Sequence, residues 1–577
     1  MERQAGQGCD VQIARISGEK VLAMLQQIGK KGKTAGGTLA DGAKEVHRAV
    51  SNNPRLLTII TAQVQGIVDN TLSTQELSIH GESRGVVLTK ANSEKLRPIG
   101  ITNIFMKLAD NFVCGESGVI LPKDEYGAHK IGGGETTVHV MRTLMETKGD
   151  KYAMKLDISN AFNSVSREFT EKVLKEKHPQ LLGHFYASYG NGNNVHFESF
   201  LYGAIESTRF TIHQTEGLIQ GGSTSPLYFA IVFGYILEEL RNKHKGDVMI
   251  NFADDLVIVS RSFDKLVEIF IELEEKLRAA NLRVSREKSS IYHAVPNAAV
   301  DEEYIRRTNA LGLKWTEQLD MLGAVAHSHD APQVAMDKLI APYLESIAEF
   351  EKFTTWITKD KSNDIQGLSA RLYQAYVRGP VQSLTYLLRC MPIEWSALVT
   401  DKIDKKLAEA FISIVLTQPR EIIDDPERFA TFAQNREEIL ELMETVRFAD
   451  GASTIFNSFD SETEMLLARI FAKRNNGGAG IPSSRVRSIS GFTASAQMAE
   501  PDVKRVLSDF NQLNPNEEIK VHGLEYGWHL VAEAEVEAKR LEIFAASKEV
   551  NAPLLEDRTA GRGLQSRITD VYDFNKR

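Results

Sequence analysis

The chain has 577 residues, of which 42% are hydrophobic and 25% are charged. This composition is typical of a globular protein and excludes a mainly disordered chain, and the length predicts about three to four domains. The formal net charge of −9 excludes a uniformly basic nucleic-acid-binding protein. The net charge does not exclude a local basic surface, because the first 110 residues hold 14 Lys and Arg against 10 Asp and Glu.

The three cysteines, Cys9, Cys114 and Cys390, lie far apart and form no C-x-x-C pair. A zinc knuckle needs closely spaced thiolates, so this spacing argues against one. It also argues against a disulfide framework and favours a reducing compartment. The N-terminus is polar, and the longest apolar stretches fall short of the ~20 residues that a membrane span needs. We therefore expect a soluble intracellular protein without membrane contact, in the nucleus or the cytoplasm.

Residues 1–90 predict short helices, for example at 21–28 and 56–68. The Gly- and Lys-rich segment at 29–38 between them is similar to a phosphate-binding loop, but Gln27 stands where that loop needs its first Gly. We therefore interpret this segment as a flexible basic loop.

Residues 90–330 alternate short apolar runs with amphipathic segments, which predicts an α+β core. The predicted elements are strands at 152–158, 197–203 and 207–213, helices at 165–175, 226–241 and 263–280, and two strands around a tight turn within 247–260. From residue 333 onward the patterns predict helices, at 333–353, 365–388 and 394–416. An acidic segment at 421–464 and a polar tail follow.

Three aspartates stand out because they lie beside apolar strand residues. Asp157 ends a predicted strand, and Asp254 and Asp255 lie at the predicted turn of a hairpin. Carboxylates packed against apolar side chains are costly unless they are paired. Two divalent metal ions bridged by carboxylates remove that cost and catalyse in-line nucleotidyl transfer. An ordinary surface turn with two aspartates is the alternative interpretation.

Two further segments carry weaker signals. The loop at 216–226 contains Gly221 and Gly222, which allow the backbone to approach a ligand closely, and it opens an apolar helix with Pro226 in the first turn. The segment 95–110 carries Lys95 and Arg97 beside apolar residues, where they could hold a triphosphate. Each segment alone is equally compatible with a capped loop or with solvated basic side chains.

Taken together, these segments resemble the motifs of reverse transcriptases, in the order that this family uses. The matching stretches are LRPIGI (96–101), YGAHKIGGGETTVHVMR (126–142), KLDISNAFNSV (155–165), QGGSTSP (220–226), FADD (252–255), NLRVSREKSSIY (281–292) and LDMLGAV (319–325). The spellings NAFNSV and FADD are most similar to those of non-LTR (LINE-type) retrotransposons. GGAGIP (477–482) is similar to a segment that follows the thumb in such elements.

The resemblance implies a right-hand polymerase. Its expected parts are an N-terminal extension (1–90), fingers (91–150), a palm with interleaved fingers segments (151–330), a helical thumb (331–420) and an acidic, mostly helical C-terminal region of unknown role (421–577). It implies RNA-directed DNA synthesis from dNTPs on an RNA template with a DNA or RNA primer.

The resemblance also implies roles for single residues. Two Mg²⁺ ions, with Mn²⁺ as the alternative, would be bound by the three aspartates and by the backbone carbonyl of Ile158. The other implied roles are sugar selection by Phe162, contact with the nascent base pair by Gln220 and Gly221, triphosphate contacts by Lys95 and Arg97, support of the pyrophosphate by Lys288, and a primer grip at Leu322 and Gly323.

Two alternatives stay open. A viral RNA-dependent RNA polymerase shares the palm but usually carries an aspartate where Phe162 stands, and a GDD turn instead of FADD. A domesticated protein of this family could bind nucleic acid or a partner without catalysis.

We expect no attached nuclease, since the cysteines cannot build a zinc cluster and the segment around Pro501 and Asp502, which begins a PD…ExK-like spacing, predicts a helix. A protein partner at the C-terminal region is a further expectation.

Overall fold

The computed structural model describes residues 13–30, 42–90, 93–128, 130–147, 149–199, 208–295, 298–359, 368–415, 481 and 484–512. They belong to two compact units, each built from separate stretches of chain. The first unit consists of Met1–Ile131, Tyr152–Ile291 and Ala299–Trp315. The second unit consists of Gly132–Lys151, Tyr292–Ala298 and Thr316–Arg577.

Helices and strands are both abundant, as predicted for an α+β protein. The helices are α1 (Gly18–Lys30), α2 (Ala43–Ser51), α3 (Pro54–Asp69), α4 (Thr74–His80), α5 (Ile104–Glu116), α6 (Gly133–Glu146), α7 (Ala161–Ser164), α8 (Arg167–Lys177), α9 (Leu182–Tyr189), α10 (Ser225–Lys243), α11 (Phe263–Ala279), α12 (Ala298–Ala310), α13 (Pro332–Lys359), α14 (Leu368–Arg378), α15 (Pro380–Cys390), α16 (Ile393–Val415) and α17 (Ser484–Gln512). The strands are β1 (Ser83–Lys90), β2 (Ser93–Thr102), β3 (Tyr152–Asp157), β4 (Asn193–Ser199), β5 (Thr208–Gln214), β6 (Val248–Phe252), β7 (Asp255–Ser260), β8 (Ser290–His293), β9 (Lys314–Thr316), β10 (Gln318–Met321) and β11 (Ala324–Ser328).

Two of the described sheets are built mainly from strands of the first unit. One has the order β2-β1-β4-β5, in which the antiparallel hairpins β1–β2 and β4–β5 meet through a parallel contact between β1 and β4. The other has the order β6-β7-β3-β8-β9, and its strand β7 is antiparallel to both β6 and β3. The predicted pair within 247–260 is present as β6 and β7, and the strand predicted at 207–213 is present as β5. Strand β4 begins at Asn193, earlier than the strand predicted at 197–203, and residues 200–203 of that prediction lie outside the described part.

The core of the first unit forms around α10 and the five-stranded sheet. Apolar residues occupy most of the circumference of α10, so Leu227, Phe229 and Phe233 are all buried, and the helix packs against α8, α11 and β6. Strands β3 and β7 are almost continuously apolar, which is typical of strands covered on both faces. The ends of these strands therefore rest on a rigid base.

The second unit is mainly helical, with the antiparallel hairpin β10–β11. Helix α6 packs against α15, α17 and β11. The buried Arg142 guanidinium donates to Cys390 O at 2.6 Å and to Val325 O at 2.7 Å, and Arg389 forms a bidentate ion pair with Glu135. Charge-assisted hydrogen bonds thus hold segments of this unit that are distant in sequence.

Two predicted helices differ from the structure. The single helix predicted at 365–388 is instead α14 and α15, because Pro380 has no N–H to continue the hydrogen bonding of α14 and disfavours a helical Gly379. The helix predicted at 165–175 begins later, at Arg167, after the Ser166 side chain accepts a hydrogen bond from Phe169 N–H as its N-cap. Among the described helices, none combines the length and the apolar character needed to cross a membrane.

Candidate active site

Three aspartates lie at one end of the five-stranded sheet. Asp157 and Asp255 are partners in the β3–β7 register, and Phe252 and Asp255 are partners in the β6–β7 register. Ala253 and Asp254 therefore form the two-residue turn of the hairpin. Asp255 is the first residue of β7 rather than a turn residue, because it pairs with both neighbouring strands. The structure brings together the three carboxylates that the sequence predicts as metal ligands.

The charges of this cluster repel one another. Burial raises the pKa of Asp254 to about 6, and repulsion from Asp255 and, more weakly, from Asp157 acts in the same direction. Arg97 lowers the same pKa, and Lys288 Nζ lies 2.9 Å from Asp157 Oδ2. Carboxylates that disfavour one another's ionisation gain from a nearby cation, and hard divalent ions prefer such oxygen ligands. The donor set therefore fits Mg²⁺ or Mn²⁺.

The end of β3 is held by the segment that precedes β8. Ser285 N–H donates to Asp157 O at 2.7 Å, and Asp157 N–H donates to Ser289 Oγ at 3.1 Å. The buried Ser289 hydroxyl donates in turn to Ser285 O at 2.8 Å. Ile158 is buried next to this contact and bridges Val284. The sequence analysis missed Ser285 and Ser289, since nothing in their local pattern indicates a partner about 130 residues away.

Phe162 lies in the single turn of α7, five residues after Asp157. Its ring is half-buried and lies 4.9 Å from the ring of the buried Phe229 on α10. Its carbonyl accepts a hydrogen bond from Leu218 N–H at 2.6 Å. Both the backbone and the ring of this residue are therefore held in place, as a residue that excludes a substrate group requires.

The loop at 216–226 contacts both α7 and β2. Gln220 O accepts from Gly100 N–H at 2.8 Å, and Gln220 Oε1 lies 3.5 Å from Asn163 Nδ2. Gly221 is exposed and has a φ of +112°, and a Cβ atom there would lie 2.6 Å from Gly100 O. Only glycine fits such a conformation and such a close approach.

Asp110 on α5 anchors the same loop, and the sequence analysis assigned it no role. Its buried carboxylate accepts from Ser223 N–H at 3.1 Å and from the Thr224 hydroxyl at 3.0 Å. His184 Nε2 lies 3.1 Å from Asp110 Oδ1, and His184 Nδ1 lies 2.7 Å from the Tyr228 hydroxyl. The available signal was an acidic side chain among the apolar residues Leu108, Ala109, Phe112 and Val113, which needs a partner when it is buried.

The remaining predicted residues lie on two other hairpins. Lys95 and the exposed Arg97 are on β2. Leu322 and Gly323 form the two-residue turn of β10–β11 in the second unit, with φ values of +50° and +82°. Positive φ at both turn positions matches the twist of antiparallel strands but is strained for a bulky leucine.

Much of the C-terminal prediction lies outside the described residues. Of the segment 477–482 only Ile481 is described, and of the region 421–577 only this residue and α17. Pro501 and Asp502 lie inside α17, in agreement with the predicted helix, whereas Glu518 and Lys520 are outside the described part.

Comparison with known families and structures adds to this geometry. Residues 88–326 match the family described as reverse transcriptase (RNA-dependent DNA polymerase), which indicates a polymerase domain of the reverse transcriptase type over this segment. The segment contains every predicted site residue from Lys95 to Gly323. None of the curated proteins compared matches the chain.

Two solved telomerase structures are similar to parts of the chain. Apo telomerase from Candida tropicalis, truncated from its C-terminal domain, matches at 11% identity over 54% of this chain and 71% of its own, with a TM-score of 0.31. Telomerase from Candida albicans, in complex with a TWJ fragment of telomeric RNA, matches at 11% identity over 63% of this chain and 64% of its own, with a TM-score of 0.26. At TM-scores below 0.5, neither likeness establishes a shared fold.

Proposed function

We propose that the protein is an RNA-directed DNA polymerase that extends a DNA or RNA primer on an RNA template with dNTPs. The observation that carries this proposal is the meeting of Asp157, Asp254 and Asp255 at one end of a sheet within the segment that matches the reverse transcriptase family. The motif spellings support a non-LTR, LINE-type relative and a right-hand division into fingers, palm and thumb.

The three aspartates, with the Ile158 carbonyl, would hold two Mg²⁺ or Mn²⁺ ions. When bound, these ions supply activation of the primer 3′-hydroxyl and neutralisation of charge on the triphosphate. The chain itself presents carboxylates on a rigid strand end, and the neighbouring Lys288 offers an ammonium group to a leaving pyrophosphate.

The other residues select and orient the substrates. Phe162 presents a ring, backed by another ring, that would collide with a ribose 2′-hydroxyl. Gln220 and Gly221 lie on a loop whose backbone a base pair can approach, and Arg97, with Lys95, would contact the triphosphate. Leu322 and Gly323 would grip the primer end, and the C-terminal region would bind a protein partner.

Primer extension tests this function directly. On a primed RNA template with Mg²⁺, the full chain should incorporate dNTPs, and Asp254→Asn/Asp255→Asn should reduce extension by at least about 1,000-fold, because the site would lose two metal-binding charges. Asp264→Asn is a matched control on an exposed carboxylate of α11 and should stay active.

Other outcomes separate the alternatives. Preferential incorporation of NTPs would favour the RNA polymerase. An inactive wild-type protein that nonetheless binds primed template with high affinity would favour the non-catalytic binding role.

A further inference from the structure

A buried carboxylate lies behind the turn that contains Asp254. Glu125, in the segment between α5 and α6, is only 4% exposed. Its Oε1 accepts from Gly127 N–H at 2.6 Å and from Ala128 N–H at 2.8 Å. The same carboxylate accepts from the side-chain amide of Asn251, which also donates to Ala253 O, in the turn itself, at 3.4 Å. Each of these partners donates a hydrogen bond, so the carboxylate is bound by N–H groups of its own segment and by the amide of Asn251.

Asn251 links this carboxylate to the strand. Its backbone N–H donates to Asp124 O at 3.0 Å, and its carbonyl accepts from Tyr126 N–H at 2.9 Å, which forms a parallel bridge around Glu125. Its side-chain oxygen accepts from Arg241 at 3.2 Å. Asn251 is 1% exposed, so all of these polar groups depend on one another for partners.

The turn needs this support because its conformation is unfavourable. Ala253 has a φ of +52°, which costs free energy for any residue with a Cβ atom. Gly127 approaches so closely that a Cβ atom there would lie 2.2 Å from Ala253 N. The segment of Glu125 therefore lies directly against the backbone that precedes Asp254.

We propose that Glu125, together with Asn251, is a positioning residue that holds the Ala253–Asp254 turn in the conformation required for metal binding. The inference rests on the proposed function, because it takes the aspartates as metal ligands. Glu125 fixes the turn through Asn251 and through the close approach of Gly127 to Ala253, and it contacts neither metal nor substrate. Its loss leaves buried donors unpaired and lets the strained turn relax.

The test measures Mn²⁺ binding to the full chain by electron paramagnetic resonance, independently of catalysis. The Mn²⁺ that binds to the wild-type protein but not to Asp254→Asn/Asp255→Asn is taken as bound at the proposed site. Glu125→Ala and Asn251→Ala should each weaken it by about tenfold, and the double variant should be little weaker than either one, because the two side chains act through one network. Thermal unfolding in EDTA and with Mn²⁺ gives a second readout.

Asn103→Ala is the matched control, since Asn103 is a fully buried amide that caps α5 without contact to the turn. It should lower stability and leave Mn²⁺ affinity unchanged. If Glu125→Ala does not fold, Glu125→Gln keeps one acceptor oxygen and should show an intermediate loss. Wild-type affinity in whichever variant folds would overturn the positioning role alone. Absence of the aspartate-dependent site from the wild-type protein would overturn the proposed function instead.

Discussion

At the scale of single residues, the raised pKa of Asp254 links the stability of the fold to pH. Its folded pKa of about 6 lies above the ordinary value of 3.8, so the folded state holds this proton more tightly than the unfolded state. The stability that protonated Asp254 contributes is therefore fully present below about pH 4 and is lost as the pH rises through 6.

Asp254→Asn removes the carboxyl group, and with it the free-energy cost of holding an ionised Asp254 in the folded state above pH 6. In EDTA at pH 7.5 the variant should unfold at a higher denaturant concentration than the wild-type protein, and the difference should vanish near pH 4. Urea unfolding at several pH values measures this. With saturating Mg²⁺ the order should reverse, since the variant would lack one of the carboxylates that we propose as ligands of the ion. A variant less stable than the wild-type protein at pH 7.5 in EDTA would contradict the raised pKa.

Phe162 is the second residue whose role depends on position. Phe162→Ala removes the ring that packs against Phe229 and should increase the incorporation of NTPs relative to dNTPs by at least about tenfold, because the clash with the 2′-hydroxyl disappears. Single-nucleotide incorporation with each substrate measures the ratio. Phe169→Ala, which removes another half-buried ring, should lower stability without changing this ratio. Unchanged sugar selectivity in Phe162→Ala would refute the assignment.

At the scale of elements, the Asp110 carboxylate links α5 to the loop that opens α10. Asp110→Ala would leave Ser223 N–H and the Thr224 hydroxyl without their acceptor and would remove the carboxylate that lies 3.1 Å from His184 Nε2, at a cost of about 2–4 kcal/mol in unfolding free energy. The loop of Gln220 would then lose its fixed position, so we also expect a higher KM for dNTPs.

Denaturant unfolding and steady-state extension measure the two effects of Asp110→Ala. Asp110→Asn keeps one acceptor oxygen and should show a smaller loss in both. A loss of stability with an unchanged KM would mean that the loop does not need this anchor for substrate binding.

At the scale of the whole molecule, the net charge of −9 conceals a local excess of basic residues. The first 110 residues carry a net charge of +4, and the exposed Arg84 and Arg97 project from the sheet of β1 and β2. If this surface tracks a phosphate backbone, the affinity for primed template should fall about 100-fold between about 50 and about 200 mM salt for roughly four contacts.

Fluorescence anisotropy at several salt concentrations checks this dependence. Arg84→Ala should reduce the salt slope by about one, whereas Arg278→Ala, an exposed change on α11, should leave it unchanged. An affinity that stays constant over this range would contradict a phosphate-binding surface.

The sequence by itself determined those features that depend on neighbouring residues. Apolar runs around two acidic residues predict the β6–β7 hairpin, and an apolar stretch after Pro226 predicts α10, because strand and helix periods are local properties. Motif order likewise predicted that Asp157, Asp254 and Asp255 lie together. Gly379–Pro380 is also a local signal, because this pair ends a helix. The prediction of a single helix at 365–388 overlooked it and was wrong.

Only the tertiary structure decided which polar groups pair across long separations. Glu125 with Asn251, Asp110 with Ser223, and Asp157 with Ser289 are partners more than 100 residues apart. A lone polar residue in a sequence shows that a partner is needed when it is buried, but not which one. Chain folding brings those donors and acceptors together, and it is their pairing that holds the aspartates and the glycine loop in place.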